Sequence, residues 1–190
     1  MKSGAISIDK YYEEIPERQF EFLYENFSIQ KEILEDYRED LIDEVIEQKA
    51  YNRRSDKGDL GVRVQVTVGT GNPTMNLSIE HLTIEQAIDK GVLDDDFFKD
   101  TDDQEELIRK VSCYHRINED FRIFNSKLGT MSLKDQRILR PYLLQEKSLD
   151  DLAEDLGIDY HSAVKHIYRI KKKLIEKVEP KLERLNRGRI

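Results

Sequence analysis

Residues Met131–Leu174 read MSLKDQRILRPYLLQEKSLDDLAEDLGIDYHSAVKHIYRIKKKL, and the reading of this stretch decides the fold. It holds three short helical patterns, the last two separated by a tight turn. Ser148 is an N-cap by type, since its hydroxyl accepts from an amide one turn into the helix, and Asp150 and Asp151 suit the positive end of the helix dipole. Leu149, Leu152, Ala153 and Leu156 form an apolar stripe at helical spacing. Gly157 follows, the residue type best able to take the left-handed conformation that ends a helix, and Ile158 is expected to plug the turn. A second helix then begins at Asp159 or Tyr160. Its buried face is expected at Ala163, Ile167, Ile170 and Leu174, spaced four, three and four.

Two helices joined by a short glycine turn form a helix-turn-helix. A small residue at Ala153 lets the second helix cross closely over the first, and Gly157 makes the turn. The second helix would then present Tyr160, His161, Ser162, Val164, Lys165, His166, Tyr168 and Arg169 away from the core. Such a face fits a DNA major groove, its first residues reading base edges. An ordinary helical hairpin would carry the same pattern; the run directly into Lys171, Lys172 and Lys173 favours DNA.

The stretch resembles region 4 of sigma-70-type transcription factors. The resemblance rests on Leu133, Arg137, Ile138, Leu139, Leu143, Ser148, Leu149, Leu152, Ala153, Leu156, Gly157, Ile158, Lys165, Ile167, Arg169 and the Lys171-Lys172-Lys173-Leu174 end, and it covers about a quarter of the chain. It implies binding to double-stranded DNA and contact with RNA polymerase. The DNA-binding residues expected on this basis are Tyr160, His161, Ser162, Lys165, His166, Arg169, Lys171, Lys172 and Lys173. Two positions depart from the family. Pro141 falls where the first helix of the family continues, so a kink or an end is expected there. Val164 stands where the family often has a basic residue.

Net charge is −8, which by itself argues against a nucleic-acid partner. Its distribution reverses that argument. Residues 160–190 carry ten Lys/Arg against three Glu, a net +7, so residues 1–159 carry −15. One end of such a chain meets phosphates and the other repels them. Charged residues at 37% and apolar residues at 38% suit a helix-rich cytoplasmic protein better than a large compact enzyme. No apolar run approaches membrane-spanning length, and MKSGAISIDKYYEE lacks the apolar core of a signal peptide. Cys113, the single cysteine, excludes an internal disulfide and a cysteine-based zinc site.

The expected fold is mainly α, in two parts. Residues 1–100 form an acidic helical region with a loop or strand across 52–72; residues 101–190 form the sigma region 4-like domain with its basic tail. Residues 1–16 are polar and expected to be loose. From Glu17 to Ala50 the pattern is helical, with Phe20, Leu23, Phe27, Leu34, Tyr37, Leu41 and Val45 on one face and a break near Asn26–Ser28, where Ser28 is a candidate cap. The acidic opposite face is a solvated surface or, given the length of the helix, a site of pairing between subunits. Residues 52–59 are a loop by composition, and the valines of 61–69 alternate at the strand period, as a strand or an extended loop. The stretch GVRVQVTVGTGNPT is similar to a segment of phage late-gene regulators of the ArpU/RinA group, which carry a hydrophilic middle before a sigma-like C-terminus. Pro73 suits a helix first turn, Thr83 and Gln86 could form a capping box, and Gly91 ends that helix. The aspartates of 94–103 lack the glycine and glutamate offsets of a calcium loop and read as a linker with an N-cap. Leu107, Val111, Tyr114, Ile117, Phe121, Phe124 and Leu128 mark the core stripe of a long helix from about Asp102 to Lys127.

No catalytic constellation emerges. His81, His115, His161 and His166 are scattered without metal-ligand spacing, and Gly69-Thr70-Gly71 lacks the lysine of a phosphate-binding loop. No cofactor is expected. The function expected is a phage or prophage transcription activator acting with RNA polymerase, possible also as a homo-oligomer. Two alternatives share the features: the DNA-recognition (small terminase) subunit of a packaging machine, and a helical adaptor whose basic tail docks on an acidic protein.

Overall fold

The structure is a computed structural model that describes residues 8–55 and 73–187. The chain is mainly helical. A 3-10 turn at Ile8–Glu13 precedes α1 (Pro16–Glu25); a second at Phe27–Ile29 leads into α2 (Gln30–Ser55). Then come α3 (Pro73–Lys90), α4 (Asp95–Phe98), α5 (Gln104–Gly129), α6 (Leu133–Leu143), α7 (Leu149–Leu156) and α8 (Tyr160–Arg187). No strand occurs among the described residues. The strand or extended loop expected at 61–69, and most of the 52–72 segment, lie outside them.

By contacts the chain forms two compact units, Met1–Ile33 with Arg116–Ile190, and Leu34–His115. The expected division was at residue 100 of the sequence; in the structure the first helix belongs instead with the C-terminal helices.

In the Leu34–His115 unit, Leu41, Ile42, Val45, Ile84, Ile88, Phe97, Leu107 and Val111 make the core. The acidic face of α2 is solvated: Glu32, Glu35, Asp36, Glu39, Asp40, Asp43 and Glu47 are exposed. Composition suggested a loop from Asn52, yet α2 continues to Ser55. The reason is tertiary. Asn52 donates to the Asp100 carbonyl (3.0 Å) and Asp102 carboxylate (2.7 Å), while Arg53 pairs with Glu80 and with Asp100 (2.9 Å). Thr83 and Gln86 form no cap, because α3 runs through them unbroken and the Thr83 hydroxyl donates to the Ile79 carbonyl one turn back. Gly91 does end α3, at φ +64°. The aspartate run supplies two caps: Asp94 accepts from the Phe97 amide at the start of α4, and Asp103 from the Glu106 amide at the start of α5.

The other unit is built around α8. Helices α1, α6 and α7 pack against it. Its buried line is Ala163, Ile167, Ile170, Leu174, Val178 and Leu182, which extends the expected stripe by two turns. Phe20 and Phe27 meet Phe124 with ring centroids 5.6 and 5.4 Å apart, and Phe22 meets Phe121 at 6.3 Å. The N-terminal stretch expected to be loose contains an anchor. Tyr11 is fully buried, and its hydroxyl donates to the Asp120 carboxylate at 3.1 Å. That carboxylate also accepts from Arg116 at 2.7 Å. Burial pushes the Asp120 carboxyl above the usual aspartate range, with Arg116 opposing the shift.

Candidate nucleic-acid interface

The α6–α8 segment starts with a capped helix. The Ser132 hydroxyl accepts from the Asp135 amide at 3.1 Å. Pro141 lies inside α6 but only two residues from its end at Leu143, so the missing amide removes one bond from the last turn and the helix stops soon after. The Pro141 carbonyl then accepts from the Glu146 amide at 2.9 Å, which folds the connection back.

At α7 a reciprocal capping box forms: the Ser148 hydroxyl accepts from the Asp151 amide, and the Asp151 carboxylate accepts from the Ser148 amide at 2.8 Å. The Ser148 hydroxyl also donates to the Asp151 carboxylate, at 2.7 Å, and with the Ser148 amide it holds that carboxyl below the usual aspartate range. Leu152 and Ala153 are buried, with Leu149 and Leu156 half-buried. Gly157 is left-handed, φ +63° and ψ 35°. Its amide donates to the Glu154 carbonyl and the Ile158 amide to the Ala153 carbonyl, each at 3.0 Å, the paired bonds of a Schellman stop. Ile158 is 36% exposed, so hydrogen bonding rather than an apolar plug closes the turn.

Asp159 settles where α8 begins. Its carboxylate accepts from the Ser162 amide at 3.0 Å and from the Ser162 hydroxyl at 2.6 Å, and both bonds lower the Asp159 pKa. Ser162, one of the expected base-reading residues, therefore has its hydroxyl proton committed to the cap.

The remaining expected residues divide into two groups. His161, Lys165 and Arg169 are exposed together on the side of α8 opposite its buried line, Lys172 continues that side one turn further, and Tyr160 is 45% exposed at the start of the helix. The line His161, Lys165, Tyr168, Lys172 repeats the four–three–four spacing of Ala163, Ile167, Ile170, Leu174, displaced by two residues, which on an α-helix is the opposite face. The second group turns back toward the protein. Lys171 lies 2.5 Å from the Glu21 carboxylate and 4.4 Å above the Tyr24 ring. Lys173 binds the Asp135 carboxylate at 3.0 Å. Burial raises the Asp135 pKa, but bonds from Lys173 and Ser132 outweigh it, and the carboxyl lies below the usual range. His166 is half-buried, with a buried Nε2.

The sequence reading named Val164 and Tyr168 as outward but left them off the expected contacts; they are 38% and 68% exposed. Tyr168 falls two residues before the buried Ile170, and Val164 directly follows the buried Ala163. Among the described residues no group of three or more His, Cys, Asp and Glu side chains is placed to hold a metal ion. No helix there is long and apolar enough to cross a membrane.

Comparison of the chain with protein-family models, with curated proteins and with solved structures finds no match in any of the three.

Proposed function

We propose that the chain is a sequence-specific, double-stranded DNA-binding regulator of transcription, with α7, the Gly157 turn and α8 as a sigma region 4-like helix-turn-helix. The observation that carries this reading is the two-sided character of α8. One side is buried from Ala163 to Leu182; the other leaves His161, Lys165, Arg169 and Lys172 exposed on one face. Charge placed this way costs little in water and gains by releasing counterions from a phosphate backbone. The resemblance to sigma region 4 adds the expectation that RNA polymerase is a partner, with the protein acting as a phage or prophage late-gene activator.

The test is selection of bound duplexes from random DNA, followed by a salt titration of the enriched site. An enriched sequence whose binding weakens steeply with salt supports the reading; absence of salt-dependent binding to any duplex removes it. A second reading, the recognition subunit of a DNA-packaging machine, is favoured by the exposure of Leu77, Ile79 and Leu82 on α3, at 63%, 51% and 54%. Apolar surface of this kind suits self-association. A ring-sized mass in solution would favour it over a polymerase-dependent activator.

A further inference from the structure

Three apolar side chains stand out from α8 on the flank between its buried line and its exposed cations. Tyr160, Val164 and Tyr168 are 45%, 38% and 68% exposed and are spaced by four, so they form a row along the helix. His161, Lys165 and Arg169, also spaced by four, form a second row beside it, and all three are exposed. Tyr11, Tyr24, Tyr37, Tyr114 and Tyr142 are buried or half-buried, and Tyr51 on α2 is exposed but stands outside any such row. Phosphates are met by charge and have no use for apolar surface. A partner that matches both rows offers anions along one track and apolar groups along the next.

The DNA major groove offers that pair. Thymine is the base that presents a methyl group there, at C5, beside its O4 acceptor. We propose that the Tyr160–Val164–Tyr168 row packs on thymine methyl groups in the major groove, while Lys165 and Arg169 hold the neighbouring phosphates or guanine edges. The inference rests on the DNA-binding reading above and adds the base class that is read. At about 1.5 Å per residue the row spans about 12 Å, or between three and four base-pair steps of about 3.4 Å. Two or three methyls can therefore lie under it. Tyr168 is the most exposed of the three and the main contact.

The experiment alters the DNA and leaves the protein intact. The duplex enriched from random DNA is made once with thymine and once with deoxyuridine, which keeps every hydrogen-bonding group and lacks only the methyl. Affinities are compared by fluorescence anisotropy at fixed salt. Each contacted methyl should be worth about fourfold in affinity, from its burial alone, so two give more than tenfold between the duplexes. Tyr160→Ser, Val164→Ser and Tyr168→Ser together should bind the two duplexes alike, and Tyr168→Phe alone should still discriminate. An enriched site without thymine, or equal affinity of the parent for both duplexes, overturns the proposal. In either case sequence-selective, salt-dependent binding would survive, and with it the DNA-binding reading. If the parent binds no duplex in a salt-dependent way, both readings fall together.

Discussion

Three consecutive lysines lie midway along α8, and on the proposed DNA-binding reading a count of charges would give them three phosphate contacts. The structure gives them unequal chances. Lys171 is occupied by the Glu21 carboxylate at 2.5 Å and the Tyr24 ring at 4.4 Å. Lys173 is held by Asp135 at 3.0 Å, though its side chain keeps 56% of its surface exposed. Lys172 is exposed on the same side as Lys165 and Arg169. Each phosphate contact contributes about 0.9 to the slope of log affinity against log salt. Lys172→Ala should therefore flatten the slope by about 0.9, so that its defect shrinks by between threefold and fourfold from 50 to 200 mM salt, both about as the counterion-release relation gives. Lys171→Ala should leave the slope unchanged, and Lys173→Ala should lower it by less than a full contact. The triple alanine variant should then fall well short of the change of about 2.7 that three independent contacts would produce. Anisotropy of a labelled duplex across a sodium chloride series reads all four proteins. If Lys171→Ala flattens the slope as much as Lys172→Ala, or the triple variant reaches the full change, α8 does not lie on DNA by the face described.

Three further outcomes follow from the same geometry. At Gly157 an added Cβ meets nothing within 4 Å, so a substitution pays for φ +63° alone: Ala should cost about 1–2 kcal/mol, Asn less and Val most, read as the urea midpoint at constant slope, and an Ala variant equal to the parent would refute the assignment. Arg116 and Asp120 are 3% and 0% exposed and 2.7 Å apart, so Arg116→Met strands a buried carboxylate at a cost of about 3–5 kcal/mol, and adding Asp120→Leu should recover much of it; a double variant as unstable as the single one would count against the pair. The Asp135 carboxyl is depressed below its usual range, so its contribution is fully present above about pH 3.9, the usual aspartate value, and is lost as pH falls through the lower folded-state value. The stability gap between the parent and Asp135→Asn should close over that acid range, and a gap that stays constant would remove the linkage.

What was legible in the sequence was local. Ser148, Ala153, Gly157 and the four–three–four stripe of α8 act within one or two turns of themselves, so residue type and spacing fixed their roles, and the bonds at Gly157 and Ser148 follow that logic. The illegible features depend on partners far along the chain. Lys171 finds Glu21 across 150 residues, and Tyr11 finds Asp120 across 109. In sequence the first looks like a phosphate-binding charge and the second like part of a polar tail. The extension of α2 through Asn52 and Arg53 likewise waits on Asp100, Asp102 and Glu80. Ser162 shows a different limit. The Asp159 carboxylate that caps α8 also takes the Ser162 hydroxyl proton, a bond that residue type and spacing alone do not reveal.

The division of the chain has a physical cause that composition hides. Charge separates the sequence into an acidic and a basic part, and solvated charge is the feature composition reports most loudly. Units are defined instead by which apolar surfaces cover one another. Phe20 and Phe27 cover Phe124, Phe22 reaches Phe121, and α1 packs along α8, so residues before Ile33 complete the core that Arg116–Ile190 leaves open. The acidic Glu21 then faces Lys171 as a consequence of that packing. An acidic N-terminal helix and a basic C-terminal helix thus share one core, and the cations of α8 that α1 and α6 do not engage are the ones left exposed for the proposed DNA contact.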